Sequence, residues 1–167
     1  MTPQALVLTP QGIRFHGRCI PCSIGRGGIV STKKEGDGGT PIGIHKITEV
    51  YYRPDRQPPP CSWAKPIGIN DLWSDDVTYA SYNSLVKAPY SGSHEHMRRS
   101  DPLYDIVLNT NWNWPNATPG KGSAIFLHIW RKPRHPTEGC IAFSASDLIW
   151  ITQRLRPDNP LIIRSYL

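Results

Sequence analysis

The sequence predicts a mainly β domain with one or two short helices, and three observations support that class. Short apolar segments recur between turn residues, as in β-rich domains. Proline and glycine are abundant, at 17 and 14 of the 167 residues. Apolar residues recur at helical spacing in one stretch near the C-terminus, which is flanked by residues that typically start and stop a helix. At this length we expect residues 1–167 to form one domain with an ordinary hydrophobic core.

The first third of the chain is predicted to form short strands around one long loop. Strands are expected at 6–8, 13–15 and 19–24, separated by proline or glycine. Residues 25–41 contain glycines that permit tight turns, so they should form a specific loop. The loop lacks the GK[ST] ending of a phosphate-binding loop. Gly43–Tyr52 then alternates as a strand does.

The middle of the chain is predicted to be irregular until two further strands begin. Five prolines between residues 53 and 66 argue against regular pairing. Residues 73–76 are expected in irregular chain, and Glu95–Arg99 in a single helical turn. Leu103–Asn109 and Ala124–Trp130 are apolar runs that predict buried strands.

The C-terminal segment is predicted to contain the helix and a closing strand. The helix should start near Ser144 or two residues later, and end at about Leu155. Leu148 and Ile151 share a helical face with Leu155 and should pack on the core. Residues 161–163 predict the last strand.

Charge and hydropathy restrict the possible partners. The net charge of +6 favours polyanions in general, such as a nucleic acid or an anionic wall polymer. The basic residues are dispersed and no nucleic-acid motif accompanies them, so we favour a solvated basic surface and expect no nucleic-acid partner. No apolar run approaches the roughly 20 residues needed to span a bilayer, so no membrane span is expected. The first ten residues lack the pattern of a secretory signal.

The cysteines and histidines do not predict a metal site, and no cofactor is expected. Cys19 and Cys22 form one CxxC without the second pair that a structural zinc site needs. We interpret these two and Cys61 as buried small side chains, and a disulfide between two of the three remains an alternative. His94 and His96 would share a strand face, but no third-ligand motif accompanies them.

A thiol nucleophile and its base are the chemistry that the stretch from Gly122 to Ser144 suggests. Cys140 would need a neighbouring group to form a thiolate, and His128 could reach it across adjacent strands. Gly139 would let the backbone direct N–H groups at a developing oxyanion. His135, in a basic loop, is the rival base. Taken alone, these residues favour the alternative, a buried structural cysteine beside a core histidine.

The chain contains several distinctive motifs, in the order GRGG, KKEGDGGTPIG, YYRPDR, WSDD, YN, LYDIVLN, GSAIFLH and PTEGC. Together they resemble the catalytic domain of L,D-transpeptidases of the YkuD type, in a short single-domain branch. The resemblance implies a mixed β-sheet sandwich with Cys140 as the acylated nucleophile and His128 as general base. It also implies that the backbone carbonyl of Ile129 orients the imidazole, and that the N–H groups of Gly139 and Cys140 form the oxyanion hole.

The resemblance also implies a set of substrate-binding residues, with departures from the usual motif. Thr137 matches the family's Ser/Thr position, and Glu138 stands where most members have His. Ala142 replaces the Arg or Asn of many members. We place Glu138 and Thr137 with His135 and Trp130 at the substrate. Trp130 is interpreted as part of an aromatic platform, for which core packing is the alternative.

The activity that the resemblance implies is acyl transfer on peptidoglycan stem peptides, by a monomer in the periplasm or cell envelope. Attack at the third stem residue would give 3→3 cross-links, and attack at the first would give 1→3 cross-links. The altered motif favours 1→3 slightly. An L,D-carboxypeptidase or amidase that passes the same acyl group to water is an alternative, as is a non-catalytic wall-binding module.

Overall fold

The structure, a computed structural model, describes residues 4–165. Fourteen strands and one helix follow one another in this part of the chain. They are β1 (Leu6–Thr9), β2 (Gly12–Phe15), β3 (Arg18–Ile20), β4 (Ile29–Val30), β5 (Thr40–Pro41), β6 (Gly43–Tyr52), β7 (Lys65–Pro66), β8 (Asp71–Ser74), β9 (Ser84–Lys87), β10 (His94–His96), β11 (Ile106–Thr110), β12 (Phe126–Ile129), β13 (Ile141–Phe143), α1 (Ala145–Thr152) and β14 (Asn159–Ile163).

One mixed sheet of nine strands organises the molecule. Its strand order is β13-β12-β11-β6-β14-β1-β2-β3, with β7 paired beside β6. The pairs β1–β14, β6–β7 and β12–β13 are parallel, and the others are antiparallel. An antiparallel bridge from Ser23 to Ala142 connects the segment after β3 back to β13, so the sheet nearly closes on itself. The predicted mainly β, mixed-sheet fold is confirmed.

The two faces of this sheet contribute to separate apolar clusters. The larger cluster covers one face and includes the helix residues Leu148 and Ile151. The smaller lies against the three-stranded sheet β10-β8-β9 and contains Trp73, Phe126 and Cys140. Burying apolar surface on both faces explains why the central strands are apolar in nearly every position. The site described below opens at the smaller cluster.

A β-bulge interrupts the simple alternation that the sequence predicts for β6. The register between β6 and β11 shifts at Asn109 and Thr110. An extra residue moves the following side chains to the opposite face. As a result Ile47 and Val50 pack in the same cluster although they are three residues apart, while Tyr51 packs in the other.

The predicted helix is confirmed, with a slightly earlier end. The Ser144 hydroxyl accepts a bond from the Asp147 N–H at 3.2 Å, which satisfies one of the free donors at the helix start. The helix ends at Thr152, and the chain turns so that the Arg154 N–H donates to the Ile151 carbonyl. Leu155 still reaches the core from this turn.

Three local predictions were wrong. Residues 95–99 are not a helical turn, because β10 pairs with β8 there. Residues 73–76 begin in strand β8, whose four residues are all buried between β9 and β10. Cys19 is exposed instead of buried, since it lies on β3 at the edge of the sheet. All four cysteines are free thiols, so no disulfide joins the first three.

Two further findings concern membranes and metals. Within residues 4–165, no helix has the length and apolar character required to cross a bilayer. The same residues contain no group of three or more His, Cys, Asp or Glu side chains that could hold a metal ion. His94 and His96 do share a face of β10, with ring centroids 5.3 Å apart.

Candidate active site

Two adjacent parallel strands place Cys140 and His128 on the same face of the sheet. His128 on β12 is the register partner of Ala142 on β13. Cys140 precedes Ala142 by two residues, and strand side chains two apart point to the same side. Both side chains are buried yet both contribute to the wall of one cavity. His128 and Cys140 are therefore brought to one cavity by neighbouring strands, which prove to be parallel.

The turn that enters β13 is fixed by the glycine-rich loop of residues 25–41. The Thr40 hydroxyl donates to the Gly139 carbonyl at 2.8 Å and accepts from the Gly25 N–H at 2.9 Å. Gly139 has φ +135°, and a Cβ there would lie 2.8 Å from the Gly39 carbonyl oxygen. The loop therefore serves to hold the cysteine turn against the sheet, which accounts for its glycines.

Thr137, which belongs to the same turn, stabilises it through its hydroxyl group. Its hydroxyl donates to the Cys140 carbonyl at 2.6 Å and accepts from the Gly139 N–H at 3.1 Å. The Gly139 N–H is thus engaged with a side chain, and an oxyanion role for it requires release of that bond. The backbone N–H of Cys140 is the other donor that the resemblance implies.

His128 is held in a defined orientation by the backbone next to it. Its Nδ1 lies 2.8 Å from the carbonyl oxygen of Ile129. A carbonyl can only accept, so Nδ1 carries the proton and Nε2 presents its lone pair. Burial lowers the pKa of His128 to about 4, and the nearby Arg99 adds to this effect. The imidazole is therefore neutral near pH 7 and able to accept a proton.

The surroundings of Cys140 favour the thiol over the thiolate that a nucleophilic cysteine needs. Burial raises the pKa of its thiol to about 12, and the negative charge of Glu95 contributes. The thiol donates to the Ala124 carbonyl at 2.9 Å and accepts from the Phe126 N–H at 3.4 Å. Its single proton is directed to a carbonyl, so the side chain must turn before the imidazole can receive that proton.

The cavity in front of Cys140 is large enough for a peptide segment. Its volume is about 580 Å³, and it is open to solvent on one side. Both signs of charge occur in its wall, with Lys33, Arg99 and Arg131 facing Glu35 and Glu95 among the lining residues. A zwitterionic ligand is the kind of molecule such a wall can bind.

The substrate residues predicted from the sequence all reach this cavity. Trp130, His135, Thr137 and Glu138 are part of its wall, each from the loop between β12 and β13. Glu138 is exposed and pairs with Arg26 at 2.8 Å, so its carboxylate already has a cation partner. His135 lies in the same loop, whereas His128 is fixed on a strand.

Sequence reasoning did not identify Tyr104 and Glu95 as part of the site. The Tyr104 ring lies 5.5 Å from the His128 ring, and its hydroxyl donates to Glu95 Oε2 at 2.5 Å. Glu95 lies on β10, in the second sheet, and also lines the cavity. The motif LYDIVLN contained Tyr104, but nothing local to Glu95 signalled its position.

The comparison with protein families agrees with this geometry. The model of the L,D-transpeptidase catalytic domain, YkuD, matches residues 3–163.

The chain belongs to the YkuD family.

Membership of the YkuD family indicates an enzyme of the L,D-transpeptidase type, from a family that acts on peptidoglycan. No curated protein and no solved structure matches the chain. The matched residues include both Cys140 and His128.

Proposed function

We propose that this YkuD domain is a cysteine-dependent L,D-transpeptidase of the periplasm or cell envelope, which acts on peptidoglycan stem peptides through an acyl-thioester on Cys140. The observation that carries the proposal is the placement of Cys140 and His128 on one face of two paired strands, at the wall of a peptide-sized cavity. Family membership supplies the substrate class. In this proposal residues 1–167 act as one catalytic domain and as a monomer.

In this proposal the Cys140 thiol and the His128 imidazole are both uncharged before the substrate binds, and this determines the order of proton transfers. When the carbonyl of an L-residue enters the cavity, Cys140 turns from Ala124 towards His128. The sulfur attacks the carbonyl carbon while Nε2 of His128 takes the thiol proton. The resulting oxyanion is bound by the Cys140 N–H, and by that of Gly139 if the Thr137 bond opens.

Collapse of this intermediate completes the acylation and regenerates the base. The C–N bond to the D-residue breaks, and the imidazolium of His128 returns its proton to the leaving amine. A second stem then attacks the thioester through its amine, which loses a proton to His128. The C–S bond breaks, and Cys140 recovers that proton as the new amide is released.

The cross-link formed depends on which stem carbonyl reaches Cys140. We favour 1→3 over 3→3 linkage slightly, because Glu138 and Ala142 depart from the usual motif and the loop between His128 and Cys140 is short. Glu138 lines the cavity and forms an ion pair with Arg26.

Product masses from a purified disaccharide-tetrapeptide test the reaction and the linkage together. Release of D-alanine with a dimer indicates 3→3 transfer, and release of the longer fragment that begins with D-glutamate indicates 1→3 transfer. Trimmed monomers without dimers indicate transfer to water, which is the carboxypeptidase or amidase alternative. Intact-mass measurement should show an adduct on the wild-type protein and none on Cys140→Ala.

The buried, protonated thiol is also what a non-catalytic wall-binding module would show. Such a module predicts that Cys140→Ala retains the biological activity of the wild type. It also predicts no covalent adduct with a carbapenem, which acylates active cysteines of this kind. Loss of activity in Cys140→Ala, together with adduct formation by the wild type, would exclude it.

A further inference from the structure

Glu95 contributes a carboxylate to the wall of the cavity. The hydrogen-bond partner of this carboxylate is a neutral group. Glu95 lies on β10, in the second sheet, and its Oε2 accepts from the Tyr104 hydroxyl at 2.5 Å. Arg99 acts on it electrostatically, but the Arg99 guanidinium is bound to Asp101 by two bonds of 2.8 and 2.7 Å. The negative charge of Glu95 is therefore incompletely neutralised within the protein.

The surroundings of Glu95 make an ionised carboxylate costly there. Burial raises the pKa of Glu95, and the acidic groups of Asp75 and Glu35 add to the shift. The Tyr104 bond and Arg99 act in the opposite direction. A cation placed beside Glu95 would lower the free energy of its ionised form.

Glu95 also opposes the chemistry proposed for Cys140. Its charge is among the causes that raise the pKa of the thiol. While the cavity is empty, the negative charge of Glu95 makes the Cys140 thiolate harder to form. A substrate cation beside Glu95 would neutralise that charge and remove the effect. Binding of such a cation would remove the opposing charge when the sulfur has to attack.

We propose that Glu95 binds an ammonium group of the substrate in this cavity, and that the Tyr104 hydroxyl holds its carboxylate in position. Glu95 is then a specificity residue for amine-bearing peptides, such as stems that contain a diamino acid. The inference rests on the proposed function for its substrate class, but its test does not require turnover.

Binding to the inactive Cys140→Ala protein tests the inference directly. The probes are a disaccharide-tetrapeptide with a free side-chain amine on its diamino acid, and the same molecule with that amine acetylated. We expect the free amine to bind about tenfold more tightly, because acetylation removes the charge of an ion pair in a partly buried site. Equal affinities for the two probes would overturn the proposal, whether or not Cys140 proves catalytic.

The substitution Glu95→Gln isolates the charge, since the amide oxygen can still accept from Tyr104. We expect this change to abolish the preference for the free amine in the Cys140→Ala background. The matched control is Glu49→Gln, whose carboxylate also accepts a tyrosine hydroxyl, from Tyr51 at 3.1 Å, but which is not among the residues that line the cavity. The control should retain the preference. A merely structural role for Glu95 predicts that Glu95→Gln weakens both probes equally, and that result contradicts the proposal.

Two additional variants keep the test decisive if Glu95→Gln does not fold. Glu95→Ala removes the charge and should lose the preference, whereas Glu95→Asp retains a charge and should retain it. Identical preferences in these two variants would contradict the role of the carboxylate.

The active enzyme can then distinguish the two sources of the ammonium group. If Glu95 binds the donor stem, Glu95→Gln should slow formation of the acyl-enzyme from the free-amine probe by about tenfold, as followed by intact mass. If it binds the acceptor stem, acylation should be unchanged and the ratio of dimer to hydrolysed product should fall by the same factor. An acylation rate and a product ratio that both match the wild type would overturn the proposal.

Discussion

The two faces of strands β12 and β13 use the same backbone for different purposes. One face carries Leu127, Ile129, Ile141 and Phe143, all buried against the helix side of the core. The other carries Phe126, His128, Cys140 and Ala142. On the first face the side chains need only fill space. On the second, each polar group is satisfied by a backbone carbonyl, from Ile129 for the imidazole and from Ala124 for the thiol.

One pair of strands thus serves the hydrophobic core on one face and the site on the other. A strand alternates its side chains, so a chemical group can occupy every second position while the other positions form the core. Substitutions on the two faces should consequently separate activity from stability.

Removal of the thiol should have the largest effect on activity and a small effect on stability. Cys140→Ala should lower the turnover of stem peptides by about a thousandfold or more, because the covalent step is lost. The free energy of unfolding should change by only about 1 kcal/mol, which corresponds to loss of the sulfur hydrogen bonds. Turnover assays and urea unfolding measure the two quantities. Wild-type turnover in this variant would remove Cys140 from the mechanism.

Truncation on the opposite face should have the converse effect. Phe143→Ala should lower the free energy of unfolding by about 3–5 kcal/mol, because Phe143 is fully buried and leaves a cavity. Ile44→Ala is the control, since Ile44 is 74% exposed, and should change it by less than about 0.5 kcal/mol. A similar loss in both variants would show that burial on this face does not determine stability.

Acidification should weaken the fold through His128. Its pKa is about 4 in the folded protein and near 6.5 in an unfolded chain. Between these values the unfolded chain binds a proton that the folded protein does not, so stability falls as the pH falls. The loss should approach about 3 kcal/mol near pH 4 and then level off.

The comparison of wild type with His128→Gln isolates this contribution. Other groups titrate in both proteins, so the difference between their unfolding free energies across pH reports on His128 alone. In the active enzyme the acid limb of kcat/KM should lie near pH 4, where the base becomes protonated. An acid limb near pH 6.5 would indicate that the imidazole of His128 is solvated and not buried.

A substitution at the turn that precedes Cys140 should lower stability by less than truncation in the core does. Gly139→Ala should lower the free energy of unfolding by about 1–3 kcal/mol, because φ is +135° and the added Cβ meets the Gly39 carbonyl. It should also reduce turnover by displacing Cys140. Gly28→Ala is the matched control, with φ +72° and open space around the added Cβ, and should cost about 1 kcal/mol. Equal effects in both would mean that the contact with Gly39 is not restrictive.

Much of the fold could be predicted because the central strands have local signals. Gly43–Tyr52 was predicted with its observed bounds, and the helix was predicted from one apolar face. Strands β8 and β10 were missed, because their pairing is decided by neighbours distant in sequence. The bulge in β6 was also missed, because it depends on the register with β11.

The residues of the candidate site were likewise predictable only where the sequence carries a local motif. Cys140 and His128 were found from their residue types and motif, and their shared face then follows from the parallel register. Glu95 was not found, since its distance from Cys140 along the chain gives no indication that β10 faces β13.

The sequence by itself determined the mainly β class, the family and the pair of residues expected to react. Each of these depends on patterns within a few residues or on motifs in a fixed order. Only the tertiary structure decided that the pair is neutral at rest, that Thr137 occupies the Gly139 N–H, and that Glu95 faces the cavity. The physical reason is that burial and through-space charge set protonation states, and neither is defined until distant strands have packed together.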